Sequence, residues 1–247
     1  AHHGPMTETR VFFSYAQSDG ARTDRLYDAL AAQDGLRVFR DIHDILPTED
    51  WKGRLDALIR DSDIVLFALT PASIRSQTCR WELERVAALN KRLIPVVLVD
   101  VDDPAEVPEI VSRVQYIFLT DRHDFDEGLA RIRSAIDLDI DWVREHTRLG
   151  ALAGRWEASG RPASQLLRGA DLDEAQTWLL SRPRDAPAPT DLHRAFVIQS
   201  GRARARRQRG TVGAALVALL IVGVLGSFAW VQRNAALRNE SLAREQP

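Results

Sequence analysis

The stretch Asp63–Leu69 reads DIVLFAL, and six of its seven residues are apolar. A short run of this kind, rich in branched and aromatic side chains, predicts a strand that is buried on both faces. Four more runs of similar length and composition are Arg10–Ala16, Leu36–Arg40, Leu93–Asp100 and Gln115–Leu119. These five segments predict an α/β fold if helices separate them along the chain.

Helical patterns follow four of the strands. Apolar residues spaced for one helical face form four groups: Leu26, Leu30 and Ala31; Trp51, Leu55, Leu58 and Ile59; Cys79, Leu83, Val86 and Ala87; and Phe125, Leu129, Ile132 and Ile136. This alternation predicts a five-stranded parallel sheet with helices on both faces. Ligands of such sheets bind beyond the carboxyl ends of the strands, which here lead into the loops after Phe13, Phe39 and Leu69.

Charge and cysteine content exclude several kinds of site. Met6–Ile136 contains 23 acidic and 17 basic residues, whereas Asp137–Pro247 contains 12 acidic and 16 basic residues. An acidic first half argues against nucleic acid as a partner. Cys79 is the only cysteine, and the sequence has neither Cys/His zinc spacing nor a glycine-rich phosphate loop. We therefore expect no metal site and no bound cofactor.

The domain boundaries follow from changes in pattern. Residues 1–5, AHHGP, are typical of a tag remnant, so the first domain is predicted to span residues 6–136. Residues 137–209 show helical patterns without strands and are predicted to be an all-helical linker. Within it, Asp171 and Thr190 are predicted helix N-caps. The linker ends in the basic run RARARRQR, residues 202–209.

Residues 210–232, GTVGAALVALLIVGVLGSFAWVQ, contain no charged side chain. A bilayer core of ~30 Å takes about 20 helical residues, so we expect a transmembrane helix here, with a buried core helix as the alternative. The preceding arginines predict a single-pass inner-membrane protein whose first domain is cytoplasmic. We expect these arginines to bind membrane lipid rather than nucleic acid. Residues 233–247 would then be a short tail, truncated before a further domain if the native chain continues.

Three stretches of the first domain together resemble the TIR (Toll/interleukin-1 receptor homology) family in its bacterial form. They are VFFSYAQSD (residues 11–19), VFRDIHDILPTEDW (residues 38–51) and LTPASIRSQTCRWELERV (residues 69–86). The resemblance covers about Thr9 to Ile136 and implies a flavodoxin-like sheet. The rest of the chain is similar, more loosely, to the helical linker and membrane span of some bacterial TIR proteins.

The resemblance implies hydrolysis of NAD⁺ at the nicotinamide–ribose bond, with NAD⁺ as the substrate. The family's catalytic glutamate stands three residues after the cysteine and corresponds to Glu82. TIR enzymes act when their domains stack, so a homo-oligomer is also implied. By the same resemblance, NAD⁺ is contacted by Phe13, Tyr15, Ala16, Gln17, Asp41, Leu46 and Cys79, and the assembly loop includes Asp44, Ile45, Pro47 and Trp51.

Three positions depart from the family pattern. Some active relatives carry basic residues where this chain has Ala16 and Gln17, so contacts to the dinucleotide are expected from Arg22 or Arg40 instead. The loop glycine is replaced by Thr48, which does not adopt positive φ cheaply, and this predicts a stiffer or differently shaped loop.

The segment CRWELERV, Cys79–Val86, is consistent with a role for Glu82. On a helix, Glu82 lies beside Cys79 and Val86 at the edge of the apolar face. Glu84 lies about 200° around the axis, where it can pair with Arg80. The structural alternative for Glu82 is a surface pair with Arg85.

The other two unusual residues of this segment have simpler interpretations. Cys79 is interpreted as packing, because no histidine lies near it in the sequence to lower its pKa. Trp81 is predicted to be either a surface aromatic residue or an assembly contact.

Three functions are compatible with an α/β domain of this kind. The first is a membrane-tethered NAD⁺-consuming enzyme in stress or anti-phage defence, activated by self-assembly. The second is a non-enzymatic TIR adaptor that recruits other TIR domains. The third, a phosphoacceptor receiver domain, requires paired acids after the first strand and a lysine after the fifth, and neither arrangement is present. Glu82 favours the enzyme over the adaptor.

Overall fold

The structure is a computed structural model that describes residues 8–40 and 51–209, together with residues 219–222 and 227. Its sheet has five parallel strands in the order β2-β1-β3-β4-β5, so the predicted parallel α/β sheet is confirmed. The strands are β1 (Thr9–Ser14), β2 (Leu36–Arg40), β3 (Ile64–Leu69), β4 (Arg92–Val97) and β5 (Ile117–Phe118).

Helices connect the strands as the sequence pattern predicts. They are α1 (Gly20–Ala31), α2 (Trp51–Asp61), α3 (Pro71–Arg75), α4 (Gln77–Ala88), α5 (Glu109–Ser112) and α6 (Phe125–Asp137). The chain leaves α1 through Gly35, which has a φ of 77°. A side chain at that φ is strained, so glycine permits the tight entry into β2.

All six residues of β3 are buried, which explains its uninterrupted apolar sequence. Successive side chains of a strand point to opposite faces of the sheet. Leu66 packs on one face among residues of α1 and α6, and its neighbour Val65 packs on the other face among residues of α2 and α4. Both faces are therefore covered, and each needs its own apolar side chains.

The residues after α6 form a helical unit with a core of its own. Its helices are α7 (Ile140–Ala158), α8 (Gly169–Leu180) and a third helix, α9, that includes residues 191–209. The rings of Trp142 and Trp178 stack at 4.6 Å between centroids, and the Trp178 indole donates to the Trp142 carbonyl at 3.1 Å. The segment predicted as a linker is thus a packed helical unit, with the following core residues: Trp142, Leu149, Ala153, Trp156, Leu167, Leu172, Ala175, Trp178, Ala186, Phe196 and Val197.

The two predicted caps of this unit differ in outcome. The Thr190 hydroxyl accepts from the backbone N–H of His193 at 3.3 Å, as expected of an N-cap. The prediction for Asp171 is wrong, because α8 begins two residues earlier at Gly169. Asp171 lies in the first turn, where its negative charge interacts favourably with the positive end of the helix dipole.

Lys91, the residue before β4, joins the helical unit to the sheet. Its ammonium group donates to the carbonyls of Arg60 and Ser62, both at 2.7 Å, and to the hydroxyl of Thr147 on α7 at 3.3 Å. Burial lowers the pKa of Lys91 to about 8. Arg144 of α7 adds a bond to the hydroxyl of Thr9 at 2.8 Å. The helical unit is therefore attached at the amino ends of the strands, opposite the edge where a ligand is expected.

Two buried histidines lie in this helical unit. The ring centroids of His146 and His193 are 4.5 Å apart, and His193 Nε2 lies 2.8 Å from the His146 carbonyl oxygen. Burial lowers the pKa of His146 to about 3 and also lowers the pKa of His193. Both rings are consequently neutral at neutral pH.

The prediction of a single-pass inner-membrane protein is corrected. No helix within the described part of the chain is both long enough and apolar enough to cross a bilayer. The long helix α7 carries charged residues along its length, and the described part of α9 includes the arginine-rich run 202–209. Most of residues 210–232 lie outside the described residues, and residues 219–222 are helical and exposed.

Candidate functional site

Glu82 lies on the buried face of α4. The buried residues of this helix are Cys79, Glu82, Leu83 and Val86, which share one side, whereas Glu84 is exposed. Glu82 is only 2% exposed, so the helix carries a carboxylate into a largely apolar interior. A carboxylate in such a place requires a polar partner.

That partner is Ser14, the last residue of β1. Its hydroxyl donates a short hydrogen bond to Glu82 Oε2, and the two residues are 68 positions apart in the sequence. Ser14 is itself 1% exposed. The bond fixes the orientation of the carboxylate at the carboxyl end of the central strand.

The chain between β3 and α4 is held by successive helix caps. The Thr70 hydroxyl accepts from the Ser73 backbone N–H at 3.0 Å, and the Ser73 hydroxyl accepts from the Thr70 backbone N–H at 3.0 Å. This reciprocal capping box begins α3. Ser76 then caps α4 by accepting from the Cys79 backbone N–H at 3.3 Å. These caps fix where α4 begins, and α4 in turn places Glu82 within hydrogen-bonding distance of Ser14.

The Ser14–Glu82 pair lies where the strand order reverses. β1 and β3 are neighbours in the sheet, with Ser14 beside Phe67. The connection from β1 leads to β2 on one side, and the connection from β3 leads to β4 on the other. In open parallel sheets this divergence leaves a crevice that binds ligands, and nucleotides are common among them. A second contact joins the two loops here, because Thr70 Oγ1 donates to Asp19 Oδ2 at 2.6 Å.

A comparison with known protein families identifies the part of the chain that contains this site. Residues 11–133 match the family model described as TIR domain. These residues are a TIR domain. The match includes most of β1, the Ser14–Glu82 pair, α4 and the first nine residues of α6.

A solved structure is similar to this chain. The TIR domain of the Toll-related receptor TRR-2 from the lower metazoan Hydra magnipapillata is 19% identical, with a TM-score of 0.40, and the match covers 53% of this chain and 97% of that one. No curated protein matches the chain significantly.

The predicted NAD⁺ contacts of the TIR domain differ in exposure. Tyr15 and Ala16 are buried, 6% and 5% exposed, and Gln17 is exposed. Phe13 and Cys79 are fully enclosed in two different apolar clusters. Contact of these five residues with NAD⁺ stays a prediction.

The predicted loop residues Asp41, Asp44, Ile45, Leu46 and Pro47 lie outside the described residues. The loop's last predicted member, Trp51, is the first residue of α2 and is 40% exposed. Its ring meets that of Trp81 edge-on, at 6.1 Å between centroids. Trp81 is half-buried and packs against an apolar cluster that includes Val86. An aromatic pair therefore lies at the surface beside the loop.

The charged neighbours of Glu82 have other partners. Arg85, the alternative surface partner, pairs with Asp56 at 2.5 Å. Arg80 donates to the Ile74 carbonyl at 3.4 Å, so the expected pair with Glu84 is not formed among the described residues. The structural alternative for Glu82, an exposed pair with Arg85, is therefore wrong.

The arginines considered for the dinucleotide also have acidic partners. Arg40 pairs with Asp24 at 2.5 Å and lies over the Tyr27 ring, and the hydrogen bond to Asp24 raises its pKa. Arg22 lies 3.8 Å from Asp121, and both side chains are largely exposed. Arg22 is thus held less strongly by its acidic partner than Arg40 is, and it is the more easily freed to contact a ligand.

Three polar residues at the site were missed from the sequence. Ser14, Asp19 and Thr70 all fall within stretches that resemble the TIR family, yet none was assigned a role. The available signal was their place at or shortly after the carboxyl ends of β1 and β3, at the expected ligand edge. Across the described residues, no group of His, Cys, Asp and Glu has an arrangement that could hold a metal ion.

Proposed function

We propose that this TIR domain cleaves NAD⁺ at the nicotinamide–ribose bond, with Glu82 as the catalytic carboxylate. The observation that supports this most strongly is the bond from Ser14 to the buried carboxylate of Glu82 at the crevice between β1 and β3. Neither residue has an evident packing reason to be polar, because buried apolar side chains surround α4. Sites that break a local rule in this way are frequently functional.

One carboxylate is sufficient for this chemistry. Nicotinamide in NAD⁺ is already cationic and leaves as a neutral base, so its departure needs no general acid, unlike that of a sugar oxygen. The ribose carbon gains positive charge as the bond breaks. A preoriented carboxylate in a water-poor crevice stabilises that charge more strongly than one in water.

The fate of the ribose cation determines the product. Attack by water gives ADP-ribose, and attack by an atom of the same dinucleotide gives a cyclic ADP-ribose. Both reactions use the same carboxylate.

Self-assembly is the second part of the proposal. The 40% exposed ring of Trp51 beside Trp81 supports it, because exposed aromatic residues are enriched at protein contacts. A second TIR domain placed against this surface would exclude water from a crevice that one domain leaves open. NAD⁺ consumption switched on by assembly suits an effector of bacterial stress or anti-phage defence, because uncontrolled hydrolysis would harm the cell.

The direct test is incubation of the concentrated full chain with NAD⁺, followed by chromatography. We expect nicotinamide together with ADP-ribose or a cyclic ADP-ribose. A folded, assembled chain that releases no nicotinamide would contradict the enzyme and favour the non-enzymatic adaptor.

A further inference from the structure

Asp19 occupies the N-cap position of α1 but does not cap that helix. The α1 cap has no side-chain hydrogen bond, although Asp is among the preferred N-cap residues. Its carboxylate instead accepts from Thr70 Oγ1 at 2.6 Å, from a residue 51 positions away. α1 thus lacks a side-chain N-cap bond, and the Asp19 carboxylate that could provide it forms a long-range bond instead.

Thr70 is fixed for this contact from the other side. It is 1% exposed and directly follows β3. Its oxygen accepts from the Ser73 backbone N–H, so its single hydroxyl proton is available for Asp19. The capping box of α3 therefore holds Thr70 in the position that the bond to Asp19 requires.

The bond joins the two loops that diverge from the crevice. The loop after β1 carries Tyr15, Ala16 and Gln17, and the loop after β3 leads through α3 to Glu82 on α4. Ser14 and Glu82 join the same two chain segments in the buried interior. Asp19, which is half-buried, joins them again nearer the surface.

We infer that Asp19 and Thr70 form a positioning pair that sets the loop after β1 relative to the carboxylate of Glu82. This inference rests on the proposed NAD⁺ cleavage. Without the pair, the loop shifts, the ribose is held less well against Glu82, and the bound substrate reacts more slowly. A small misplacement of a reacting group can cost up to about 100-fold in rate.

The test measures kcat and KM of the full chain with four variants. Asp19→Ala and Thr70→Val remove one partner each, whereas Asp19→Asn and Thr70→Ser keep an acceptor and a donor. We expect the first two to lower kcat about tenfold or more with little change in KM, and the second two to stay near the parent. The double variant Asp19→Ala/Thr70→Val should be no slower than the slower single variant, because both remove the same bond.

The inference and the proposed function fail in different ways. An active parent whose Asp19→Ala variant has an unchanged kcat would overturn the positioning pair alone. So would multiplied effects in the double variant, or losses that match a reduced folded fraction in thermal unfolding. An inactive, folded parent would overturn the proposed function and the kinetic role with it. Faster amide exchange of residues 70–76 in Asp19→Ala would then still show that the bond holds the two loops together.

Discussion

The hydroxyl of Ser14, at the end of β1, donates a hydrogen bond to the carboxylate of Glu82 on α4. Both residues are almost fully buried, and they connect the central strand to the helix that follows β3. The bond gives the buried carboxylate of Glu82 a defined orientation at the ligand edge of the sheet.

Ser14→Ala should lower kcat for NAD⁺ by about tenfold, because Glu82 loses the donor that orients it. It should also lower the free energy of unfolding by about 1–3 kcal/mol, since the buried carboxylate of Glu82 loses a hydrogen-bond donor. Steady-state kinetics and urea unfolding measure the two effects. Ser134→Ala is a matched control, because Ser134 is exposed on α6 and its hydroxyl donates to the carbonyl of Ala130 in the same helix. Parent-like kinetics for Ser14→Ala would show that Glu82 does not need this bond.

Specific activity of the full chain should rise with protein concentration, because assembly completes the crevice. Trp51→Ala should depress the rate at high concentration more than the rate at high dilution. Initial rates over a dilution series measure both. Leu180→Ala is the control, since Leu180 is 90% exposed on α8 and lies outside the residues of the TIR domain. High specific activity that stays constant on dilution would indicate a self-sufficient monomer.

Acid should destabilise the helical unit through its buried histidines. The pKa of His146 is about 3 in the folded chain and about 6.5 when unfolded, so between these values the unfolded chain binds more protons. Stability therefore falls as the pH drops below 6.5, by about 2 kcal/mol between pH 7 and pH 5 from His146 alone. His193, whose pKa is also lowered, acts in the same direction.

Urea unfolding at several pH values of parent, His146→Phe and His123→Phe measures this effect. His146→Phe should flatten the pH dependence, whatever its stability at pH 7. His123 is exposed, so His123→Phe should keep the parent's slope. Equal slopes in parent and His146→Phe would mean that His146 is not held neutral by the fold.

Lys91→Met should lower the free energy of unfolding by about 1–3 kcal/mol, because the carbonyls of Arg60 and Ser62 lose this donor. The chain's only other lysine, Lys52, provides the control. It is exposed at the start of α2, and Lys52→Met should leave stability nearly unchanged. Similar unfolding midpoints for the two variants would show that the bonds of Lys91 between the sheet and the helical unit do not stabilise the fold.

Much of the fold was predictable because its main signals are local. The continuous apolar run of β3 shows burial on both faces, and the spacing of Cys79, Leu83 and Val86 identifies the inner face of α4. Glu82 was expected at the edge of that face, and it is buried. Short helices could not be predicted from apolar spacing. The five residues of α3, for example, are too few to show a helical period.

The polar contacts of the site could not be predicted in the same way. Ser14 and Glu82, and Asp19 and Thr70, are 68 and 51 positions apart, so only tertiary structure brings them together. The core of the helical unit was missed for a similar reason. Trp142 and Trp178 come from different helices, and neither helical pattern indicates which surface the other will cover.

The most direct measurement of the central claim compares nicotinamide release by Glu82→Gln and Glu84→Gln in the assembled full chain. Glutamine keeps the volume of Glu82 and can still accept from Ser14, so the fold should persist while the charge is lost. We expect Glu82→Gln to lose about 100-fold or more in rate. Glu84 is exposed, and Glu84→Gln should match the parent. A folded Glu82→Gln variant that releases nicotinamide at the parent's rate would contradict the account.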